Sequence, residues 1–332
     1  MPKAVLVRST GGPEVLEFGD VDPRRPGAGE LLVDVAAAGV NYIDTYHRSG
    51  LYPLELPRVL GQEGAGTVSA VGTDVPGFAV GDRVAWHETL GSCAEEVIVS
   101  AEQAVHVPEG VDLETAAATM LQGMTAHYLV NSTYPVQEGD TALVHAAAGG
   151  VGLLLVQLAK ARGARVIGTV STAEKEALAR EAGADEVIRY AHAGEDGKLA
   201  PVDFSSEVRR LTDGVGVNVA YDGVGKDTFD GSLSVLKPRG MLVLYGASSG
   251  PVPPFDPQRL SAAGSVYLTR PRLGAYVATR EELDWRAGEL FAAITDGSLK
   301  VAIGARYPLS EARQAHEALQ GRRTTGKVLL IP

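Results

Sequence analysis

The chain has 332 residues, of which 45% are hydrophobic and 21% are charged, a composition that predicts a soluble globular protein. A chain of this length exceeds one typical hydrophobic core, so we expect two domains. The formal net charge of −11 argues against binding to nucleic acid or to an anionic membrane surface, because an acidic surface repels phosphate groups. Cys93 is the only cysteine, which excludes an intrachain disulfide and a cysteine-rich zinc site.

The sequence contains no recognisable targeting or membrane segment. Residues 1–14 include no apolar region of the length found in signal peptides. No run of about 18 apolar residues occurs, so no transmembrane helix is expected. We therefore expect a cytoplasmic protein.

Residues 1–120 are rich in glycine, proline and valine and show little helical periodicity. Apolar segments separated by turn residues predict short strands in this region. These strands cover residues 30–40, 64–72, 81–86 and 94–100. The pattern indicates an irregular, β-rich domain.

Beyond Gly123 the pattern changes to strands that alternate with helices. The predicted strands are 141–146, 165–170, 186–190, 217–225, 241–246 and 265–271, and the predicted helices are 151–164, 173–184, 205–211 and 226–236. This alternation predicts a parallel, doubly wound sheet and places the chain in the α/β class. A helix is predicted over 279–297, and residues 327–332 predict a strand that could return to the first domain.

The bend after the strand at 141–146 has the sequence HAAAGGVG, residues 145–152. Aligned on its last glycine it is Ala147-x-Gly149-x-x-Gly152, the dinucleotide-binding fingerprint with alanine in the first position. Small residues let the backbone approach a pyrophosphate, and the N–H groups at the start of the next helix can bind its charge. A tight turn without a ligand is the alternative, and the strand–turn–helix context favours a dinucleotide. The predicted contacts are Ala148, Gly149, Gly150, Val151 and Gly152.

The residues after the second strand of this unit indicate which dinucleotide binds. An NAD site usually carries Asp or Glu there, which binds the ribose 2′-hydroxyl. Here the positions hold Ser171 and Thr172, and Lys175 follows. A small polar pocket with a lysine suits a 2′-phosphate, so we expect NADPH with Ser171 and Lys175 among its ligands. The alternative for Lys175 is a solvated lysine in a first helical turn.

Three segments of the chain resemble one known family. They are residues 139–160, GDTALVHAAAGGVGLLLVQLAK; residues 61–84, which resemble a GHE-type segment; and residues 39–53, which resemble an N-terminal active-site stretch. The family is that of the zinc-independent quinone oxidoreductases, also called zeta-crystallin-like, in the medium-chain dehydrogenase/reductase superfamily. The resemblance implies a Rossmann NADPH-binding domain over residues 125–270. It also implies a GroES-like catalytic domain built from residues 1–124 and 271–332.

The chain departs from the zinc alcohol dehydrogenases of the same superfamily. Asn41 stands where the resemblance would place the first zinc-binding Cys, and Gln62 replaces the zinc-binding His, whereas Glu63 is retained. Without a Lewis acid an alcohol is not readily ionised near neutral pH. We therefore expect no metal, and reduction of an electron-poor acceptor rather than oxidation of an alcohol.

The resemblance also implies a set of residues around the nicotinamide and the acceptor. Asn41, Tyr46 and Tyr52 are the implied catalytic residues, since an amide can donate to a carbonyl oxygen and a phenol can polarise a quinone oxygen. The implied cofactor-binding residues outside the glycine turn are Asn41, Asp44, Tyr128, Ser171, Lys175, Tyr190, Tyr245, Gly246, Ser248 and Arg322. Arg323 could exchange roles with Arg322, and the tyrosines could instead only pack.

Two histidines lie within these segments. His145 precedes the glycine turn and is expected to be a hydrogen-bonded structural residue rather than a base. His47 lies nearer the implied acceptor site, and Asp44 is its only visible acidic neighbour.

The sequence predicts an NADPH-dependent quinone reductase. The nearest alternative is an enoyl or alkenal double-bond reductase, which would deliver the same hydride to carbon. A structural or RNA-binding role, known for some relatives, is a non-enzymatic alternative, and the lack of a basic–aromatic patch argues against RNA.

We also expect a homodimer. Residues 264–271 predict the final strand of the parallel sheet, with no Lys or Pro between 265 and 269 to guard its edge. A two-fold partner can pair such an edge, and the family resemblance points the same way. The alternative is a monomer whose edge is covered by the following loop, residues 272–276.

Overall fold

The computed structural model describes residues 1–193, 199–201 and 203–332. The chain forms two compact units, residues 1–124 with 277–332 and residues 125–276. The boundary expected from the sequence lies after residue 270. Tyr276 lies with the second unit because its ring stacks on Tyr128, with centroids 4.3 Å apart and an interplanar angle of 7°.

The first part of the chain, up to α2, consists mostly of strands. They are β1 (Lys3–Val7), β2 (Leu16–Asp20), β3 (Glu30–Val40), α1 (Tyr42–Ser49), β4 (Arg58–Val59), β5 (Gly64–Val71), β6 (Arg83–Trp86), β7 (Glu96–Ser100), β8 (Val105–His106) and α2 (Leu113–Tyr128). The four strands predicted from the sequence correspond to β3, β5, β6 and β7. The short strands β1, β2, β4 and β8 were not predicted.

The second unit contains a parallel sheet with helices between its strands. Its elements are β9 (Thr141–Val144), α3 (Gly150–Ala161), β10 (Arg165–Val170), α4 (Ala173–Glu181), β11 (Glu186–Arg189), β12 (Ala191–Ala193), β13 (Leu199–Pro201), α5 (Phe204–Leu211), β14 (Val217–Asp222), α6 (Phe229–Ser234), β15 (Leu236–Leu244), α7 (Gln258–Ala262) and β16 (Tyr267–Thr269). The main sheet has the order β11-β10-β9-β14-β15-β16, and its neighbouring strands are all parallel. This is the strand order of a Rossmann fold, so the predicted doubly wound sheet is confirmed.

The last part of the chain belongs to the first unit. It forms α8 (Arg280–Thr295), β17 (Ile303–Pro308), α9 (Ala312–Gln320) and β18 (Lys327–Ile331). β18 pairs antiparallel with β3, with Val328 opposite Val40, so the terminal strand returns to the first sheet as predicted. That sheet has the order β17-β18-β3-β5-β6-β8, and β7 also pairs with β3.

Helices α2 and α9 are among those that were not predicted. α2 is buried on most of its surface and carries Gly123 in its interior, so it lacks the one-sided apolar pattern that identifies an amphipathic helix. Its start is marked by Asp112, whose side chain accepts a hydrogen bond from Thr115 N at 2.8 Å. The buried face of α9 consists of alanines and His316, which give only a weak hydrophobic signal.

Within the part of the chain that the structure describes, no helix combines the length and the apolar character needed to cross a membrane.

Candidate active site

The glycine turn of the second unit joins β9 to α3. Ala146 has a φ of 50° and its carbonyl oxygen accepts a hydrogen bond from Gly149 N at 2.8 Å. Gly149 is the N-cap residue, so the first N–H groups of α3 have no carbonyl partner within the helix. A Cβ on Gly152 would lie 2.3 Å from Ala146 O, so only glycine fits this close packing of turn and helix. The turn thus presents backbone donors and few side chains, which is the geometry that a pyrophosphate needs.

The turn lies beside the residues that were predicted to select the dinucleotide. β9 and β10 are parallel neighbours, so their carboxyl ends lie at the same edge of the sheet. Ala147 N donates to Thr169 O at 3.0 Å, which ties the turn to β10. Exposed Ser171 follows β10, and the Thr172 hydroxyl accepts from Lys175 N at 3.2 Å at the start of α4.

A buried chain of hydrogen bonds crosses this edge beneath the turn. His145 Nε2 lies 2.9 Å from Ser232 Oγ, and that hydroxyl donates to Asp222 Oδ2 at 2.8 Å. His145 Nδ1 lies 2.9 Å from Thr169 Oγ1 and 3.0 Å from the Tyr190 hydroxyl. Both ring nitrogens of His145 therefore have partners, in line with the expected structural role. The same contacts hold the Tyr190 ring parallel to the imidazole, at an interplanar angle of 4°.

Three more predicted cofactor residues follow β15 at the same edge. Tyr245 N donates to Asp222 O at 2.9 Å, and Ser248 N donates to Gly223 O at 3.2 Å. A Cβ on Gly223 would lie 2.8 Å from the Tyr245 ring, and a Cβ on Gly246 would lie 2.4 Å from Gly223 O. The segments that follow β14 and β15 can pack this tightly because Gly223 and Gly246 lack a side chain. Burial raises the pKa of the Tyr245 phenol, so this group is neutral near pH 7.

The first unit contains a buried charged network around Asn41. Lys327 Nζ donates to Asn41 Oδ1 at 2.8 Å and also to Glu63 Oε2, while Asn41 Nδ2 donates to that same carboxylate oxygen at 2.8 Å. Glu63 Oε1 accepts from Leu121 N at 2.6 Å, and Gln122 Nε2 donates to Asn41 Oδ1 at 3.1 Å. The side chains of Lys327 and Glu63 are only 1% and 0% exposed. An ammonium group therefore balances the charge of Glu63.

Lys327 and Gln122 were missed by the sequence analysis. A lysine at the start of the apolar strand KVLLI could have suggested a buried partner, because buried lysines are almost always paired.

The Asn41 amide was expected to donate to a ligand. Its longest bond, from Nδ2 to Gly39 O at 3.3 Å, is the one that a ligand acceptor would most readily replace.

Asp44 lies in the first turn of α1 and is fully buried. Its Oδ2 accepts the Asn41 backbone N–H at 2.8 Å, whereas Oδ1 has no hydrogen-bond partner among the described residues. Burial raises the pKa of this carboxyl to about 7, against the opposing effects of the Asn41 backbone bond and the Lys327 charge. The group is thus divided between its neutral and ionised forms near pH 7.

Tyr46 and Tyr52 lie together at the end of α1. Their ring centroids are 5.2 Å apart in an edge-to-face arrangement, and Tyr52 N donates to Tyr46 O at 3.1 Å. His47 lies 6.2 Å from the Tyr52 ring, and its Nδ1 is 3.1 Å from Gln62 Nε2. Tyr52 is 38% exposed. The contact between His47 and Gln62 was not predicted from the sequence.

Arg322 and Arg323 are both exposed residues of the turn between α9 and β18. Arg322 has a φ of 55° and lies close enough to Tyr42 to lower the pKa of that phenol, although burial of Tyr42 raises it more. The two arginines remain alternatives for a phosphate contact.

The described residues contain no group of three or more His, Cys, Asp or Glu side chains that could hold a metal ion. Asn41 and Gln62 occupy the places of two zinc ligands in the resemblance, and each is hydrogen-bonded to another side chain of this chain.

Comparison with known proteins defines the class of the chain. An alcohol dehydrogenase GroES-like domain model matches residues 27–138, and a zinc-binding dehydrogenase model matches residues 150–288. Both matches are typical of the medium-chain dehydrogenase/reductase superfamily, to which the fold of the two units also corresponds.

Individual relatives narrow the assignment. A quinone oxidoreductase of Pseudomonas aeruginosa is 48% identical over 334 residues, covering 100% of both chains. The structure of Escherichia coli quinone oxidoreductase complexed with NADPH is 43% identical with a TM-score of 0.94, covering 99% of this chain and 100% of that one. A 2-haloacrylate reductase of a Burkholderia species is 41% identical, covering 100% of this chain and 99% of the relative. The chain belongs to the quinone oxidoreductase family.

Proposed function

We propose that this chain is an NADPH-dependent quinone reductase that works without a metal ion. The observation that carries the proposal is the glycine turn at residues 149–152, which lies at the carboxyl edge of a Rossmann sheet in a chain that matches quinone oxidoreductases over its full length. A relative solved with NADPH supports the choice of cofactor.

The residues of the second unit fit a phosphate-bearing dinucleotide. The turn offers unpartnered helix N–H groups, and the polar positions after β10 carry no carboxylate at Ser171 or Thr172. The proposed cofactor contacts in this unit are Tyr128, Ala148, Gly149, Gly150, Val151, Gly152, Ser171, Lys175, Tyr190, Tyr245, Gly246 and Ser248. In the first unit we propose Asn41, Asp44 and Arg322 as cofactor contacts.

The residues of the first unit suit a flat, electron-poor acceptor. NADPH, when bound, supplies a hydride, and a quinone that takes up this hydride and one proton becomes a hydroquinone. The Tyr46 and Tyr52 rings offer aromatic surface for the acceptor, and their hydroxyl groups can polarise its oxygen. Asn41, held by Lys327 and Gln122, is the third proposed catalytic residue because its amide can donate to a carbonyl oxygen.

The proposal is tested by measuring NADPH oxidation with a quinone and, separately, with 2-chloroacrylate as acceptor. We expect a higher kcat/KM for the quinone, with hydroquinone as the product. A double-bond reductase is the second candidate, which the 41% identity to a 2-haloacrylate reductase favours. A higher kcat/KM for the haloacrylate would show that the chain is a double-bond reductase instead.

We predict that turnover does not depend on a metal ion. The ammonium group of Lys327 balances the negative charge of Glu63, and Asn41 is hydrogen-bonded to Glu63. A metal ion is therefore not needed to balance the charge of this site. Prolonged dialysis against a chelator should leave kcat unchanged. Loss of activity that added zinc restores would show that the prediction is wrong.

We predict a cytoplasmic homodimer that pairs through β16. This strand lies at one edge of the six-stranded sheet, and its first residue, Tyr267, is 58% exposed. An unguarded edge can pair with a two-fold partner, whereas a lysine on the edge disfavours pairing. Sedimentation velocity at micromolar concentration should therefore show a dimer that Tyr267→Lys weakens. Val215→Lys, which changes an exposed apolar residue elsewhere on the unit, is the control, and a monomeric wild type would overturn the prediction.

A further inference from the structure

We propose that His47 is a further catalytic residue whose neutral ring donates a hydrogen bond from Nε2 to the quinone oxygen that gains charge. Gln62 is its positioning residue and holds the ring in the tautomer that can donate. The inference rests on the proposed quinone reductase function and names the group that stabilises the charge formed in that reaction.

The contact with Gln62 determines where the ring proton of His47 lies. Gln62 Nε2 is 3.1 Å from His47 Nδ1, and an amide nitrogen can donate a hydrogen bond but cannot accept one. Nδ1 is therefore the acceptor, and the proton of the neutral ring is on Nε2. The backbone of Gln62 is itself held in place, since its main-chain carbonyl oxygen accepts from Thr89 N at 3.1 Å, and the residue is only 6% exposed.

The charge state of the ring agrees with a donor role. Burial lowers the pKa of His47, so the ring is neutral near pH 7. An amide partner leaves it neutral, whereas a carboxylate partner would stabilise the charged form. A neutral N–H can stabilise a developing negative charge without having to release its proton.

The position of His47 makes Nε2 available to a ligand. Among the described residues, Gln62 is the only hydrogen-bond partner found for the ring, and it contacts Nδ1. Nε2 has no partner there, and it is not among the polar atoms that are buried without one, so a ligand can reach it. The ring lies beside Tyr52, which is 38% exposed and in contact with Tyr46. An acceptor that packs on these two tyrosines would bring its oxygen next to the imidazole.

The reaction creates the charge that this donor would meet. A hydride brings two electrons and one proton to the quinone and leaves a hydroquinone anion, whose negative oxygen takes a second proton from solvent. The hydrogen bond from Nε2 stabilises this anion and the transition state that leads to it, because both carry more charge on oxygen than the bound quinone does.

The test compares two substitutions at His47 with a histidine substitution elsewhere in the same unit. We expect His47→Phe to lower kcat/KM for the quinone by about a hundredfold, the usual effect of losing one such donor. His47→Gln should retain most of the activity, because its amide still offers an N–H group. His106→Gln is the matched control and should leave kcat/KM unchanged, since His106 is exposed and bonded to Gly77 O. NADPH affinity, measured by titration, should be the same in all four proteins.

Nitrogen NMR of the imidazole tests the positioning role of Gln62 separately. In the wild type we expect the proton on Nε2, and in Gln62→Met a mixture of both tautomers with a lower kcat/KM. A wild-type ring with its proton on Nδ1 would overturn this role.

The kinetic outcomes separate the inference from the proposed function. If the wild type reduces quinones and His47→Phe does so equally well, the inference is wrong and the proposed function stands. Equal losses in His47→Phe and His47→Gln would also contradict a donor role. If the wild type reduces no quinone at all, the proposed function is wrong and the inference falls with it.

Discussion

Lys327→Met is expected to lower the free energy of unfolding of the first unit by about 3–5 kcal/mol. Lys327 and Glu63 form a buried ion pair, and removal of the lysine leaves a carboxylate without its counter-charge in the interior. Tryptophan fluorescence during urea unfolding can follow this unit alone, because both tryptophans of the chain, Trp86 and Trp285, belong to it.

The control for this experiment is Lys3→Met. Lys3 pairs with Asp20 at 2.7 Å, but the two side chains are 40% and 51% exposed, so the expected loss is at most about 1 kcal/mol. The double variant Glu63→Gln with Lys327→Met removes both charges and should recover part of the stability. If Lys327→Met unfolds at the same urea concentration as Lys3→Met, the ion pair does not hold the site together.

Lys175→Ala is expected to weaken NADPH binding by about ten- to a hundredfold, because one charge-assisted contact to the 2′-phosphate is lost. NADH carries a hydroxyl group instead of this phosphate, so its affinity should not change. Alanine keeps the backbone N–H that donates to Thr172, and the start of α4 is therefore preserved. Titration of both cofactors against wild type and variant measures the effect.

Lys160→Ala provides the control for this substitution. Lys160 lies in the last turn of α3, at the opposite end of the helix from the glycine turn, and pairs with Asp185 at 2.8 Å. It should change neither affinity. A wild type that binds NADH as tightly as NADPH would contradict the expected preference, and so would an equal loss for both cofactors in Lys175→Ala.

The parts of the site that are encoded locally could be predicted from the sequence. The glycine turn at residues 149–152, the missing acid at Ser171 and the parallel, doubly wound sheet all follow from patterns within a few tens of residues. The Lys327 network could not be predicted in this way, because its partners Asn41 and Glu63 lie 286 and 264 residues away along the chain. The antiparallel pairing of both β18 and β5 with β3 brings them together.

Helix α2 and the contact between His47 and Gln62 were missed for a related reason. A helix that is buried on most of its surface shows no periodic contrast between apolar and polar residues, so its pattern does not identify it. Gln62 was recognised only as a residue that replaces a zinc ligand. Its role as a hydrogen-bond donor to His47 depends on the approach of α1 to the segment before β5, which tertiary packing determines.

Whether the chain reduces quinones with NADPH can be measured in a single-turnover reaction under anaerobic conditions, in which the protein with bound NADPH is mixed with a quinone. We expect NADPH absorbance to fall only when both protein and quinone are present, and one hydroquinone to form for each NADPH consumed. The reaction should be slower when the transferred hydrogen of NADPH is replaced by deuterium. NADPH loss that is no faster than in the absence of protein would show that the chain does not catalyse this reaction.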